Sequence, residues 1–164
     1  MVRRRRADRL GLVVVTLIVV SLAGLVGWQA TQVSEARKDQ EERAIFLQVA
    51  RQGALNLTTI SHATAEQDVQ RILDSSAGTF RDDFELRAQP FIDAVKNAQS
   101  TTTGSITEAG LEAQADGSAE AIVAVAVKTS IADAAEQETR SWRMRVALQR
   151  TDSGVKVVDV EFVP

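Results

Sequence analysis

Three regimes of hydrophobic patterning follow one another along the 164 residues. From Leu10 to Ser34 no side chain is ionisable, and from Leu10 to Trp28 (LGLVVVTLIVVSLAGLVGW) almost every position is apolar. The hydrocarbon core of a bilayer takes about 20 such residues in a helix, so the run predicts a single membrane-spanning helix over 10–30. It exceeds the about 7 to 15 apolar residues of a cleaved leader, and the QATQVSEA that follows Trp28 offers only poor small-x-small sites. We therefore read an uncleaved anchor.

The second regime has helical periodicity. A polar stretch over 31–44 reads as a stalk, after which Phe46, Ala50, Gly53, Leu57 and Ile60 recur at 3.6-residue spacing with Val49 beside them. This predicts one helix from Ser34 to about Ile60. Thr64 and Gln67 stand at capping-box spacing and open a second helix carrying Val69, Ile72 and Leu73, which Ser75, Ser76 and Gly78 end. Phe80, Phe84, Ala88, Phe91 and Val95 mark a third. Pro90 has no amide N–H to give and is predicted to break or kink it.

After Ser100 the period falls to two. Strands are predicted over Gly104 to Gln114, Ala119 to Ile131, Thr139 to Arg150 and Val155 to Val163, joined at Asp116-Gly117 and Asp152-Ser153-Gly154 in an antiparallel meander. In the third strand Trp142, Met144, Val146 and Leu148 face the core, with Arg143, Arg145, Ala147 and Gln149 opposite. In the second, AIVAVAV is apolar on both faces, which predicts a central strand with its alanines toward the helices. Helices first and sheet second make an α+β domain over 45–164.

Charge sets the topology. Arg3, Arg4, Arg5, Arg6 and Arg9 precede the apolar run within a basic tail over 1–9, whereas the other flank is mixed. The positive-inside bias puts that tail in the cytoplasm and the domain outside the plasma membrane, with Trp28 near the interface. Beyond residue 30 the chain carries 14 basic and 21 acidic groups, a net of −7, which argues against nucleic acid as a partner. With no cysteine there is no disulfide frame, so packing alone holds the domain.

Candidate chemistry is sparse. One histidine, His62, and no tyrosine leave no nucleophile or oxyanion set to assemble, and His62 reads as a solvated or capping residue beside a helix start. No catalytic residue, cofactor site or metal set is assigned. Asp82, Asp83 and Glu85 lie near Arg81 and Arg87 and read as a solvated ion-pair face. Arg140, Arg143, Arg145 and Arg150 run along the third strand, and Arg143 and Arg145 share a face. They suit either docking of an acidic partner or simple protection of a sheet face against unwanted pairing.

The chain resembles the Mce-associated membrane proteins of mycobacteria and related actinobacteria. The likeness lies in the order of an Arg-rich start and one anchor, the segment ARQGALNLTTISH, VQRILDSSAGTF over Val69 to Phe80, the SITEAGLEAQ and AIVAVAV strands, and the terminal pair RSWRMRVALQR and GVKVVDVEFV. It departs at His62, where the family often has an aromatic, and at Val155, where it often has Trp. The resemblance implies an NTF2-like cone over 45–164, about three helices on a curved four-stranded antiparallel sheet, also seen in VirB8-type secretion subunits. It further implies a non-enzymatic accessory subunit of a Mce-type lipid importer, handling fatty acids or sterols, with Mce proteins and their permease as partners. A VirB8-like scaffold in a secretion machine and an independent lipid-binding domain are the alternatives.

Overall fold

The computed structural model describes residues 37–132 and 138–164. The chain divides into two compact units, Met1–Glu42 and Arg43–Pro164. The predicted tail and membrane span, with Arg3, Arg4, Arg5, Arg6, Arg9 and Trp28, lie outside the described residues. Among those described, no helix is long and apolar enough to cross a membrane.

Helix α1 covers 37–58, and β1 (Ile60–Ser61), α2 (Ala65–Asp74) and α3 (Gly78–Asn97) follow. The chain then runs through β2 (Thr101–Ala115), β3 (Ser118–Ser130), β4 (Arg140–Thr151) and β5 (Gly154–Val163). The strands form one sheet in the order β1-β2-β3-β4-β5, antiparallel throughout. The meander is as predicted, but the sheet has five strands and not four. The extra strand comes from the end of the predicted first helix. Thr58, Thr59 and Ile60 are consecutive β-branched residues, which crowd a helix and suit a strand, so α1 stops and Ile60 pairs with Thr102. Thr58 Oγ1 closes the helix by donating to the Ala54 carbonyl at 2.7 Å.

One face of the sheet is covered. Phe46, Ala50 and Ala54 of α1 pack on Val123, Val125 and Val127 of β3, Met144, Val146 and Leu148 of β4, and Val157 of β5. The alanine placement expected for β3 is thus mostly reversed: the valines meet the helices, and Ala124 and Ala126 lie on the opposite face. Burial stabilises in proportion to apolar area, so the three valines occupy the covered side with Ala119 and Ala121, while Ala124 and Ala126 lie with Ile122 on the bare side. Helices α2 and α3 form their own cluster from Ala65, Val69, Leu73 and Ile92. Paired bonds tie their junction to β5: Ala77 N–H donates to the Val157 carbonyl at 2.9 Å, and Val157 N–H to that of Ser75 at 3.0 Å.

One local expectation is narrowed and another corrected. Of the break or kink expected at Pro90, the break does not occur: helix α3 continues through it. The missing bond would have gone to the Leu86 carbonyl, and Leu86 is 81% exposed, so water can satisfy that oxygen. Thr64 does precede α2, but its side chain makes no bond to the helix backbone. Its hydroxyl donates to Asp68 Oδ2 at 2.9 Å instead, the same oxygen that accepts Ser61 N–H at 2.9 Å. Buried Asp68, also paired with Arg71 at 2.7 Å, thus joins β1, the turn and α2.

Candidate partner-docking site

Strand β4 carries four arginines, and its pleat sends them to different places. Arg143 lies opposite Ala124 and Arg145 opposite Ile122, both on the bare face of the sheet. Arg140 pairs with Val127 and therefore stands on the covered face, exposed at the start of the strand. Arg150 is at the far end with its guanidinium 5.6 Å from the Phe46 ring centroid. The three candidate docking residues are therefore split between two faces.

Arg145 is already engaged. Its Nε donates to Glu112 Oε2 at 2.8 Å and its Nη1 to Glu161 Oε2 at 3.0 Å. These bonds reach from β4 across β3 to β2 on one side and to β5 on the other. The Arg145 hydrogen bond holds the Glu112 carboxyl below the usual glutamate range, and the Glu112 hydrogen bond raises the guanidinium above its own. Glu112 sits in the register shift between Leu111 and Ala113, where an extra residue re-aims the side chain. Arg143 is more available, with one bond at 2.6 Å to the Pro164 carbonyl.

Beside Arg143 the structure presents a feature that periodicity alone does not reveal. Trp142 and Phe162 stack edge to face with centroids 5.6 Å apart and planes at 88°. Trp142 is 38% exposed and Phe162 62%. Trp142 shares the covered side with Met144, as predicted, yet α1 does not extend over it. With Ser141, Arg143, Val163 and Pro164 the pair lines an apolar cleft of about 570 Å³. An exposed aromatic pair flanked by a guanidinium is the composition that anchors protein interfaces.

A profile described as "Uncharacterized protein Rv1363c/MT1408-like" matches residues 8–164. The chain belongs to that family. Rv1363c of Mycobacterium tuberculosis is 33% identical over 163 residues, 99% of this chain, which spans 62% of that relative's length. Among solved structures, an IcmL-like type IV secretion system protein from Legionella pneumophila superposes with a TM-score of 0.61 at 15% identity, covering 74% of this chain and 92% of that one. The VirB8 protein of Agrobacterium tumefaciens gives 0.57 at 11%, covering 75% and 92%. The fold of this Rv1363c-like chain is thus the VirB8-like, NTF2-like α+β fold.

The remaining candidates in this member of the Rv1363c-like family are placed plainly. His62 lies exposed in the turn before α2, with Nδ1 3.3 Å from Thr101 Oγ1. Among the described residues Asp82, Asp83 and Glu85 form no ion pair with Arg81 or Arg87, contrary to expectation. Those arginines turn to backbone carbonyls, Arg81 to that of Leu73 in the last turn of α2 and Arg87 to that of Asp83 within α3, since pairing with a mobile surface carboxylate gains little. On α3, Lys96 pairs instead with Glu66 of α2, and this hydrogen bond lowers the Glu66 pKa.

Proposed function

We propose that this chain is a non-enzymatic, membrane-anchored assembly subunit of a cell-envelope complex, and that the complex is a Mce-type lipid importer. The observation that carries the docking role is the exposed Trp142–Phe162 pair beside Arg143. Full burial of such a side chain is worth about 1.5–3 kcal/mol, and a partner surface recovers the part that the exposed fractions of Phe162 and Trp142 still forgo. Arg143 orients the partner; Arg145 braces the sheet through its two glutamates. The Leu10–Trp28 run and its arginine cluster support an anchor in the plasma membrane with the domain outside. The order of segments shared with Mce-associated proteins supports the lipid-import setting. A single histidine and the absence of tyrosine and cysteine support a non-catalytic role.

A second reading, a scaffold subunit of a secretion machine, is favoured by the likeness of fold to the IcmL-like and VirB8 structures. Affinity purification of the tagged full-length protein from gently solubilised native membranes, followed by mass spectrometry, separates the two. Mce proteins and their permease are the expected companions, and Phe162→Ser is expected to lose them without lowering the level of the protein. Recovery of secretion ATPase components transfers the assignment to the second reading. Recovery of no protein partner overturns both.

A further inference from the structure

Where α1 ends above the sheet, an apolar slot of about 310 Å³ opens between Leu57, Phe91, Val95, Val127 and Trp142. Three hydroxyl-bearing residues also line it: Thr58 donates to the Ala54 carbonyl at 2.7 Å and Thr102 to the Ile60 carbonyl at 3.3 Å, leaving the Ser100 hydroxyl uncommitted among the described residues. A water held in such a slot needs two to four polar partners, and the lining is mostly apolar. The slot thus favours an apolar occupant. Its size lies at the small end of ligand pockets and equals about ten water-sized volumes. That is room for a short chain or one ring.

A charge stands next to the slot in the strand register. Arg140 pairs with Val127 across the sheet and precedes Trp142 by two residues, so all three side chains leave the sheet on the slot's side. Its guanidinium is exposed and has no ion-pair or hydrogen-bond partner among the described residues. The other β4 arginines are elsewhere, Arg143 and Arg145 on the opposite face and Arg150 over Phe46. A mostly apolar slot beside a guanidinium that has no partner among the described residues matches a molecule with an apolar tail and a carboxylate head, since guanidinium–carboxylate bonds are both strong and planar. We propose that this slot binds a small monocarboxylic amphiphile, tail between α1, α3 and the sheet, head on Arg140. The proposal is independent of which envelope complex the chain joins.

The test uses the full-length chain with Trp28→Phe in nanodiscs of neutral phosphatidylcholine, which leaves Trp142 as the sole indole reporter. Octanoate is expected to give a saturable change in Trp142 emission, and octylammonium none. Arg140→Gln is expected to weaken octanoate about tenfold, the loss of one charge-assisted contact, and to leave octanol binding unchanged. Val95→Phe, which fills the slot, is expected to abolish the response to both. Arg140 is exposed, so its variant stays readable even if Val95→Phe does not fold. Equal binding of octanol and octanoate, or an unchanged octanoate affinity in Arg140→Gln, overturns the carboxylate assignment. No saturable response to octanoate overturns the site altogether and leaves the slot to a partner's side chain.

Discussion

Gly104 has room for a hydrogen and nothing more. A Cβ built there overlaps Thr58 Oγ1, comes within 2.7 Å of Thr58 Cβ and crowds Val125 at 3.2 Å. Thr58 cannot give way, because it is buried and its hydroxyl is spent on the Ala54 carbonyl. Gly104→Ala should therefore destabilise the fold by about 2–3 kcal/mol, the cost of overpacking a filled site, read as a lower urea midpoint. Asp68 makes the opposite argument, from loss rather than excess. Its carboxylate accepts from Ser61 N–H, the Thr64 hydroxyl and Arg71 at once. Asp68→Ala strands the Ser61 N–H and should cost about 3 kcal/mol. In hydrogen exchange, the β1–α2 turn should lose protection first.

At the scale of elements, the Arg145 brace links β2, β4 and β5 over the bare face, and its pH dependence has a definite sign. The folded-state pKa of Glu112 is depressed by its hydrogen bond to Arg145. Its contribution is then complete above the ordinary glutamate value of about 4.3 and fades as the pH falls through the lower folded value. Glu112→Gln should lower the thermal midpoint slightly at neutral pH, and the gap to the parent should close on acidification below that range. This brace was not legible in the sequence, whereas the strands it joins were. Alternation in RSWRMRVALQR assigns Trp142, Met144, Val146 and Leu148 of β4 to the inner side correctly because a pleat has a strict period of two. Glu112 escapes such reasoning because it sits in a register shift whose position no local pattern marks. β1 was hidden for another reason: its two residues have strand character only once Ile60 meets Thr102, forty-two residues on. Likewise the pattern shows Trp142 on the inner side but not where helical cover ends, and it is that ending that turns a core residue into the edge of a cleft and of a slot.

For the whole molecule, the direction of the chain through the membrane decides which surfaces any partner can reach. If the Leu10–Trp28 run spans the bilayer with the arginine cluster inside, then Arg143, Phe162 and the slot face the outside, and every role proposed for them depends on it. The absence of cysteine makes this directly measurable. Ser153 lies exposed in the turn between β4 and β5, and serine to cysteine changes little in volume. In intact cells, Ser153→Cys is expected to react with a membrane-impermeant maleimide, and Ala7→Cys only after the membrane is opened. Both variants should stay in the pellet after alkaline carbonate extraction, while arginines placed at Ile18 and Leu22, costing about 2.5–3.5 kcal/mol each at the helix centre, should release the protein. Labelling of Ala7→Cys but not Ser153→Cys in intact cells would invert the topology. It would place the aromatic pair in the cytoplasm, where an importer's extracytoplasmic subunits cannot meet it.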